Sequence, residues 1–535
     1  MTHMNQARDF IIPVFVAITL LLLVGCGIST AQEYKKENRE AIAKIVDGNA
    51  DAAIKHFDNY LQDHPGDLES LYGLAVAYAQ KQDIDRAMQY VKQAVDAGLP
   101  FARFLAGPRD LLKPLTDTAE FKELSEKQAV EFLHGPMLGC VTDKSAKFWF
   151  RTADEVPVQV RISASEDMDS AIESAVGKTK KARDFTAVAA VQGLKPDTQY
   201  YYELLVNGKA EPKRWSFRTF PARGAKAKFE IGFGGGAGYT PWHERMWNTI
   251  AGHNLRAFLF LGDNVYIDNP TRPAVQQYCY YRRQSRPEYR AFTASAAIYA
   301  IWDDHDFTTN DAGGGPEIAK PKWKIPVWQV FRHNWNNPYY GGGKEQPGCW
   351  FDFSIGDVDV FMLDGRYYRT DPKREHPSML GPAQKKWLFE KLKDSKGTFK
   401  ILVSPVPWSY GAKPGSLDPW QGYKQEREEI FSFLEQNKIN GVILISADRH
   451  RSDVWKIERP DGYTLYEFES SKLTNVHKHG IMPGALFGYN EKCSFGLLGF
   501  DTTITDPQVT YKIINIDDEV VHAFSLQKSQ LSHHY

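Results

Sequence analysis

Cysteine is scarce in this chain, and the cysteines present are not spaced to hold a structural metal. Five occur in 535 residues, and none forms a C-x-x-C pair, which argues against a zinc ribbon. Excess positive charge is also missing, because 65 Lys and Arg are balanced by 66 Asp and Glu. The basic residues are scattered rather than gathered in an arm, so the sequence indicates no nucleic-acid partner.

The apolar run near the N-terminus is too short to cross a membrane. It covers Phe10–Val24, whereas a spanning helix needs about 20 residues. This length fits the apolar core of a signal peptide, predicted at residues 1–25. The following Leu23-Val24-Gly25-Cys26 resembles a bacterial lipobox, in which the Cys26 thiol is lipidated. An uncleaved anchor helix is the alternative. Both predict export to the bacterial cell envelope and a membrane tether, on the periplasmic side of either membrane or on the cell surface.

Export permits disulfides among the cysteines that would remain after lipidation. Three pairings are open, and buried free thiols are the alternative. These cysteines are Cys140, Cys279, Cys349 and Cys493.

A helical pattern with an internal repeat fills the predicted first domain, residues 36–132. Asp51–Phe57 recurs 34 residues later as Asp85–Val91, and small residues such as Ala75 would let paired helices approach closely. This resembles one complete and one partial tetratricopeptide repeat. A third helical stretch, Thr116–Phe132, is predicted to cap the pair. A stable solenoid usually needs three repeats, so a spacer or docking role is favoured. A groove for a protein partner is the alternative.

Alternating apolar residues replace the helical pattern over residues 133–222. Val158–Ile162 places three branched residues on one face of a predicted strand. The segment Gly193–Tyr202 resembles the tyrosine corner of fibronectin III-like domains. The sequence therefore predicts a small β-sandwich.

From 226 to 520, apolar strand candidates alternate with helix patterns, and polar clusters follow several of the strands. This layout is typical of an α/β domain with its site at the strand ends. The strand candidates are residues 257–261, 358–363, 400–404 and 441–445.

The densest polar cluster is Asp303-Asp304-His305-Asp306, two residues after the apolar stretch 296–300. Its carboxylates would repel one another in a packed core unless cations lie among them. A helix start capped by Asp is the alternative. Two similar clusters, Asp263 with Tyr266 and Asp448 with His450, favour the metal site. Such ligands suit Fe, Zn, Mn or Ca, and two cations about 3.5–4 Å apart suit phosphoryl transfer.

Four motifs occur in an order that resembles the PhoD-like branch of the calcineurin-like metallophosphoesterases. They are Gly262–Tyr266, Trp302–Asp306, Leu363–Arg369 and Ser446–His450. The resemblance covers roughly residues 133–520 and implies a four-layer α/β/β/α catalytic domain over 226–520. The expected protein is thus multidomain, with a tetratricopeptide-like segment, a fibronectin III-like β-sandwich and this α/β domain.

The resemblance also implies roles for individual residues. His305 would be the proton donor, and Arg366 would meet the substrate phosphate. An ion pair of Arg366 with Asp364 that only holds the site is the alternative. The implied metals are Fe and Ca, with Zn or Mn as alternatives. The implied metal ligands are Asp263, Tyr266, Asp304, Asn310, Asp448 and His450.

One departure concerns Gly236, which stands where the family has a thiolate ligand. Its loss is expected to weaken one metal site, and His243, seven residues further on, is a candidate substitute. The resemblance implies a metal-dependent phosphoesterase that hydrolyses phosphomonoesters, phosphodiesters or both by metal-activated water in the cell envelope. The alternative is a catalytically degenerate lipoprotein that binds a partner through its tetratricopeptide-like segment.

Overall fold

The computed structural model describes residues 38–533, so the predicted signal peptide and Cys26 fall outside this range. Across these residues no helix has both the length and the apolarity to cross a bilayer. The chain begins with a helical domain. Its helices are α1 (38–46), α2 (Ala50–Asp63), α3 (Leu68–Gln80), α4 (Ile84–Asp96), α5 (Ala102–Ala106), α6 (Arg109–Thr116) and α7 (Ala119–Gln128).

Side-chain caps and close packing define these helices. Asn49 and Asp67 accept hydrogen bonds from the backbone of the first turns of α2 and α3, which satisfies donors that a helix start leaves open. Gly73 of α3 lies directly against the ring of Phe57 on α2, so the two helices pair closely, as the repeat predicts. The predicted helix Thr116–Phe132 is wrong in extent, because a left-handed Ala129 ends α7.

Two facing sheets follow, with strand orders β1-β2-β6 and β4-β3-β7-β8; β5 also pairs with β3, and β9 with β7. The ring of Phe148 lies 4.5 Å from that of Tyr202 across the gap between the sheets. The Tyr200 hydroxyl accepts a hydrogen bond from the Lys195 amide at 2.9 Å, the contact that the tyrosine-corner resemblance predicts. The strands are β1 (Phe132–Gly139), β2 (Ser145–Thr152), β3 (Pro157–Ser163), β4 (Ile172–Glu173), β5 (Gly177–Lys178), β6 (Thr186–Gln192), β7 (Gln199–Val206), β8 (Lys209–Ala210) and β9 (Trp215–Arg218).

The remaining strands form two larger sheets, ordered β12-β11-β10-β20-β21-β22 and β13-β14-β15-β16-β18-β17-β19. The first contains β10 (Lys228–Gly234), β11 (Ala257–Phe260), β12 (Ala297–Ala300), β20 (Ser494–Asp501), β21 (Gln508–Asn515) and β22 (Val520–Gln527). The second contains β13 (Phe351–Ile355), β14 (Val358–Met362), β15 (Phe399–Val403), β16 (Val442–Ser446), β17 (Ser452–Ile457), β18 (Leu465–Ser470) and β19 (Phe487–Tyr489).

These two sheets pack face to face, and helices cover their outer sides. Tyr299 of β12 stacks on Phe353 of β13 at 3.8 Å. On the outer side of the first sheet, Phe258 meets Phe292 at 5.2 Å. Helices α13 and α14 connect parallel strands of the second sheet, so both lie on its other face. The helices are α8 (Met246–Ala251), α9 (Pro273–Gln284), α10 (Pro287–Ser295), α11 (Asp304–Phe307), α12 (Lys324–Asn334), α13 (Gly381–Asp394) and α14 (Lys424–Gln436).

The parallel strands position the site. Strands β10, β11 and β12 run parallel in one sheet, and β14, β15, β16 and β18 run parallel in the other. Their carboxyl ends meet at one edge, where binding sites of α/β folds occur. Every predicted ligand lies in the segment that follows one of these strand ends.

The cysteines between residues 38 and 533 are buried free thiols. This outcome selects the free-thiol alternative over all three disulfide pairings. Burial raises the pKa of Cys140 and Cys493 to about 12, so neither side chain is a thiolate at neutral pH.

Candidate metal centre

A cavity of about 250 Å³ opens at the edge where the two sets of strands end. Most of the predicted site residues line it, and Asp304 lies next to it, 1 % exposed. The predicted residues on its wall are Asp263, Tyr266, His305, Asn310, Asp448 and His450. Asn310 is exposed and lines the cavity, but it belongs to neither of the two groups of residues that could hold a metal ion.

Asp263 is the ligand candidate with the clearest need for a cation. It is 3 % exposed, and within residues 38–533 its Oδ1 atom has no hydrogen-bond partner. Burial, followed by the neighbouring acidic charges, raises its pKa well above the usual value, although His305 opposes this. A bound cation would satisfy this oxygen and restore the ionised form, so the residues present fit a metal site.

Asp304 and His305 join Asp263 in one cluster, with a ligand atom of each within 4.8 Å of the other two. Asp304 Oδ2 accepts the Asp311 amide at 2.6 Å, and Oδ1 accepts the His305 amide at 3.0 Å. Short helix α11 does begin at Asp304, but Asp303 makes no capping hydrogen bond with its side chain. The segment Asp303–Asp306 therefore contains the start of a helix and also supplies candidate metal ligands.

A chain of charged groups orients His305. Its Nδ1 atom lies 2.5 Å from Asp268 Oδ1, and the other oxygen of Asp268 lies 2.7 Å from the Arg39 guanidinium of helix α1. Burial lowers the pKa of His305, but Asp263, Asp304 and Asp268 outweigh it and raise the pKa to about 10. The sequence motifs revealed neither Asp268 nor Arg39, because both partners come from other segments.

Tyr266 and His450 form the other side of the pocket. The Tyr266 hydroxyl lies 2.9 Å from His450 Nε2 and accepts a hydrogen bond from Asn475 Nδ2 at 2.7 Å. His450 Nε2 lies 4.0 Å from Asp263 Oδ2. These contacts place the predicted Tyr266–His450 pair beside the Asp263 cluster.

Sequence reasoning missed His477 and His479, which form a second candidate cluster with His450. Both lie in the loop after β18, and His477 Nε2 is 3.0 Å from His479 Nε2. Burial, followed by the charges of Arg449 and His477, lowers the pKa of His479 to about 3, so its imidazole is neutral. The His-x-His spacing after a buried strand was the available signal.

The structure corrects the role predicted for Arg366. Its side chain is fully buried, and its guanidinium contacts Asp303 and donates to both oxygens of Asp418, at 2.7 and 3.3 Å. It therefore holds acidic residues behind the pocket and does not face a substrate. Lys413 and Arg449 are the cations on the pocket wall. The Lys413 ammonium lies 3.3 Å from Asp448 Oδ2 and 3.1 Å from Asp418 Oδ2.

Gly236 and His243 also differ from expectation. A Cβ atom at Gly236 would lie 2.1 Å from the Ser471 carbonyl oxygen, and its φ is +65°, so this backbone excludes the thiolate side chain of the family. His243 does not replace it, because its ring lies 3.1 Å from the Thr474 carbonyl and 3.4 Å from Cys493 Sγ. It is also absent from the pocket wall.

Several site residues have left-handed backbone conformations that non-glycine residues rarely adopt. The φ angles are +55° for Asp263, +53° for Tyr266, +75° for Asp448 and +43° for His450. Each costs about 1–3 kcal/mol. Such strain clusters at functional sites, where the surrounding structure holds side chains in fixed directions.

Three parts of this chain match known protein families. The PhoD-like phosphatase family model matches residues 231–486, a tetratricopeptide repeat model matches 46–105, and a domain of unknown function matches 129–222. Alkaline phosphatase D of Bacillus subtilis (strain 168) is 22 % identical over 346 residues, which span 56 % of this chain and 58 % of that protein.

Two solved structures share the fold. A structure of PhoD has a TM-score of 0.63 at 17 % identity, over 74 % of this chain and 90 % of the other. A purple acid phosphatase from yellow lupin (Lupinus luteus) seeds has a TM-score of 0.55 at 11 % identity, over 74 % of this chain and 75 % of the other. The chain therefore contains a PhoD-like phosphatase domain, preceded by a tetratricopeptide repeat.

Proposed function

We propose that this protein is a metal-dependent phosphoesterase that hydrolyses phosphomonoesters, phosphodiesters or both. The observation that carries the proposal is the buried Asp263, which has one oxygen without a hydrogen-bond partner among residues 38–533 and lines a pocket together with imidazole, phenol and carboxylate groups. The family match at residues 231–486 supports it. The curated relative is aligned over only 58 % of its length, so the activity of the whole chain is part of the proposal.

The groups around the pocket would have different roles in the reaction. Cations bound here would activate water and neutralise the charge on the phosphate oxygens. Lys413 and Arg449, which also line the pocket, would offer N–H donors to the same oxygens. His305, held by Asp268, faces the pocket and is the proton donor for the leaving oxygen.

The donor set guides the choice of metal. Carboxylate and phenol oxygens around Asp263 and Tyr266 suit hard cations, and imidazoles suit transition metals. We propose Fe with Ca, with Zn or Mn as alternatives, following the family resemblance. Elemental analysis of the purified protein gives the identity and number of the bound metals.

An Asp263→Asn variant tests the activity. We expect metal-replete wild-type protein to hydrolyse p-nitrophenyl phosphate, bis(p-nitrophenyl) phosphate or both, and the variant to lose at least 100-fold in kcat/KM. Asp63→Asn, an exposed change at the end of α2, is the matched control and should behave as wild type. Equal hydrolysis by Asp263→Asn would overturn the proposal. No turnover and less than one tightly bound metal would favour the degenerate binding protein instead.

We also propose that the protein is exported and lipid-anchored at Cys26, on the basis of the lipobox resemblance alone. In cells grown with labelled palmitate, the wild-type protein should carry label and sediment with membranes. Cys26→Ala should lose the label. An unlabelled wild-type protein would contradict the anchor without affecting the catalytic proposal.

The accessory domains fit a supporting role. We propose that the sandwich is fibronectin III-like and structural, as its tyrosine-corner contact suggests. The helical domain docks on the catalytic domain, where Arg103 lies over the ring of Tyr278 at 5.2 Å and Arg272 pairs with Asp47 at 2.8 Å. This docking favours a fixed position beside the pocket. A groove for a protein partner stays a prediction.

A further inference from the structure

The loop after β18 carries two histidines that no family motif of the sequence includes. His477 and His479 lie beside the pocket, next to His450. The distance between the Nε2 atoms of these two histidines is informative. Two imidazole nitrogens bound to one tetrahedral cation at about 2.0–2.1 Å would be about 3.3 Å apart. The observed separation of the two Nε2 atoms is 3.0 Å. The pair is thus already close to the spacing of ligands on one ion.

The surroundings of His479 also prepare it as a ligand. Its Nδ1 atom lies 3.0 Å from the Arg449 carbonyl oxygen. A carbonyl only accepts, so Nδ1 carries the proton and Nε2 keeps its lone pair toward His477. A ring N–H donated to a backbone carbonyl is the support that metal-binding histidines usually have. His450 supplies a third nitrogen within 4.8 Å of the other two.

The position of this cluster relates to the missing thiolate. A Cβ atom at Gly236 would lie 3.3 Å from His450 Cδ2 and 2.1 Å from the Ser471 carbonyl oxygen. The space of a side chain at position 236 is therefore taken by the loop after β18. The same loop brings in His477 and His479.

We propose that His477 and His479, together with His450, bind a divalent transition-metal cation and replace the thiolate absent at Gly236. Three imidazoles with one open position are a donor set suited to Zn²⁺, and also to Fe²⁺ or Cu²⁺. The inference rests on the proposed function for the role of the cation, but the binding itself is independent of turnover.

Metal binding by the full-length, detergent-solubilised protein tests this site. After chelator treatment, Zn²⁺ is titrated by calorimetry into wild type, His477→Ala, His479→Ala and His376→Ala. His376 is an exposed histidine that does not line the pocket, so its variant is the matched control. We expect His477→Ala and His479→Ala each to weaken one class of Zn²⁺ site at least 10-fold, while the control binds as wild type.

Cobalt provides a second measurement. The visible spectrum of Co²⁺-loaded His477→Ala should differ from that of Co²⁺-loaded wild type. Because His477 is exposed, we expect the variant to keep the wild-type melting temperature, which would exclude unfolding as the cause of the change. Equal Zn²⁺ affinity and an identical Co²⁺ spectrum in the variants would overturn the proposal. If the variants lose a metal while no protein hydrolyses any phosphoester, the histidine site stands and the proposed function fails. If hydrolysis is present and metal binding is unaltered, only the histidine site fails.

Discussion

Arg39 connects the helical domain, through Asp268, to His305, the proposed proton donor. Its Nη1 atom donates to the Tyr266 carbonyl at 2.6 Å and lies 2.7 Å from Asp268 Oδ2. Asp268 holds His305 through its other oxygen. Burial would raise the pKa of Asp268, but the hydrogen bond with His305 and the charges of His305 and Arg39 keep it low. Arg39→Met removes this support and retains much of the side-chain volume.

The size of the effect follows from these contacts. Hydrogen bonds to charged groups contribute about 1.5–3 kcal/mol, and the Asp268 side chain is 21 % exposed, so we take the lower end. About 1.4 kcal/mol corresponds to a tenfold change in rate. Arg39→Met should therefore lower kcat about tenfold where proton donation by His305 limits the rate. Arg39→Lys keeps the charge and should recover part of this loss.

The assay compares two leaving groups in the same metal-replete protein. An alkyl phosphate needs a proton on its leaving oxygen, whereas p-nitrophenolate departs without one, so kcat should fall for the first ester and hardly for the second. Arg272→Met is the matched control, because it removes an ion pair between the domains, with Asp47, that does not involve Asp268 or His305. Equal losses for both esters, or the same losses in Arg272→Met, would show that Arg39 acts only through docking.

Further substitutions test the ligands and the packing. Asp304→Asn removes a charge that the proposed cations require and should lower both hydrolysis and metal content; unchanged values would exclude Asp304 as a ligand. Gly236→Cys should not restore a thiolate site, because its Cβ atom would lie 2.1 Å from the Ser471 carbonyl oxygen. We expect it to destabilise the fold by about 2 kcal/mol or more, measured by denaturant unfolding, and a stable variant with higher metal affinity would refute this. Gly73→Ala places a methyl 2.3 Å from the Phe57 ring and should cost about 1–2 kcal/mol, seen as a lower thermal midpoint. An unchanged midpoint would show that the helices can separate.

The local parts of the site could be predicted from the sequence for a physical reason. Asp263, Asp304, Asp448 and His450 each follow a buried strand within a few residues, and parallel strands bring their carboxyl ends to one edge. Short motifs therefore specify both the donor and its place. The pairing of the helices could also be predicted locally, because small residues such as Ala75 indicate close packing.

The partners of these ligands could not be predicted in this way. Arg39 and Asp268 are 229 residues apart in the sequence, and their contact depends on how the helical domain docks. Lys413 reaches Asp448 from a loop whose path no periodicity specifies. His477 and His479 follow β18, but the strand order that places this loop beside β16 appears only in the folded sheet.

Arg366 shows that a sequence motif can identify a residue without indicating where its side chain points. An arginine beside an acidic cluster suits either a phosphate or a carboxylate. Here the buried carboxylates Asp303 and Asp418 face it from two loops, and unpaired charges in this interior would be costly. The buried guanidinium neutralises them, and in the proposed function it is Lys413 and Arg449, on the wall of the pocket, that would meet a substrate phosphate. The buried carboxylates around Arg366, which come together only in the folded chain, thus determine where its side chain points.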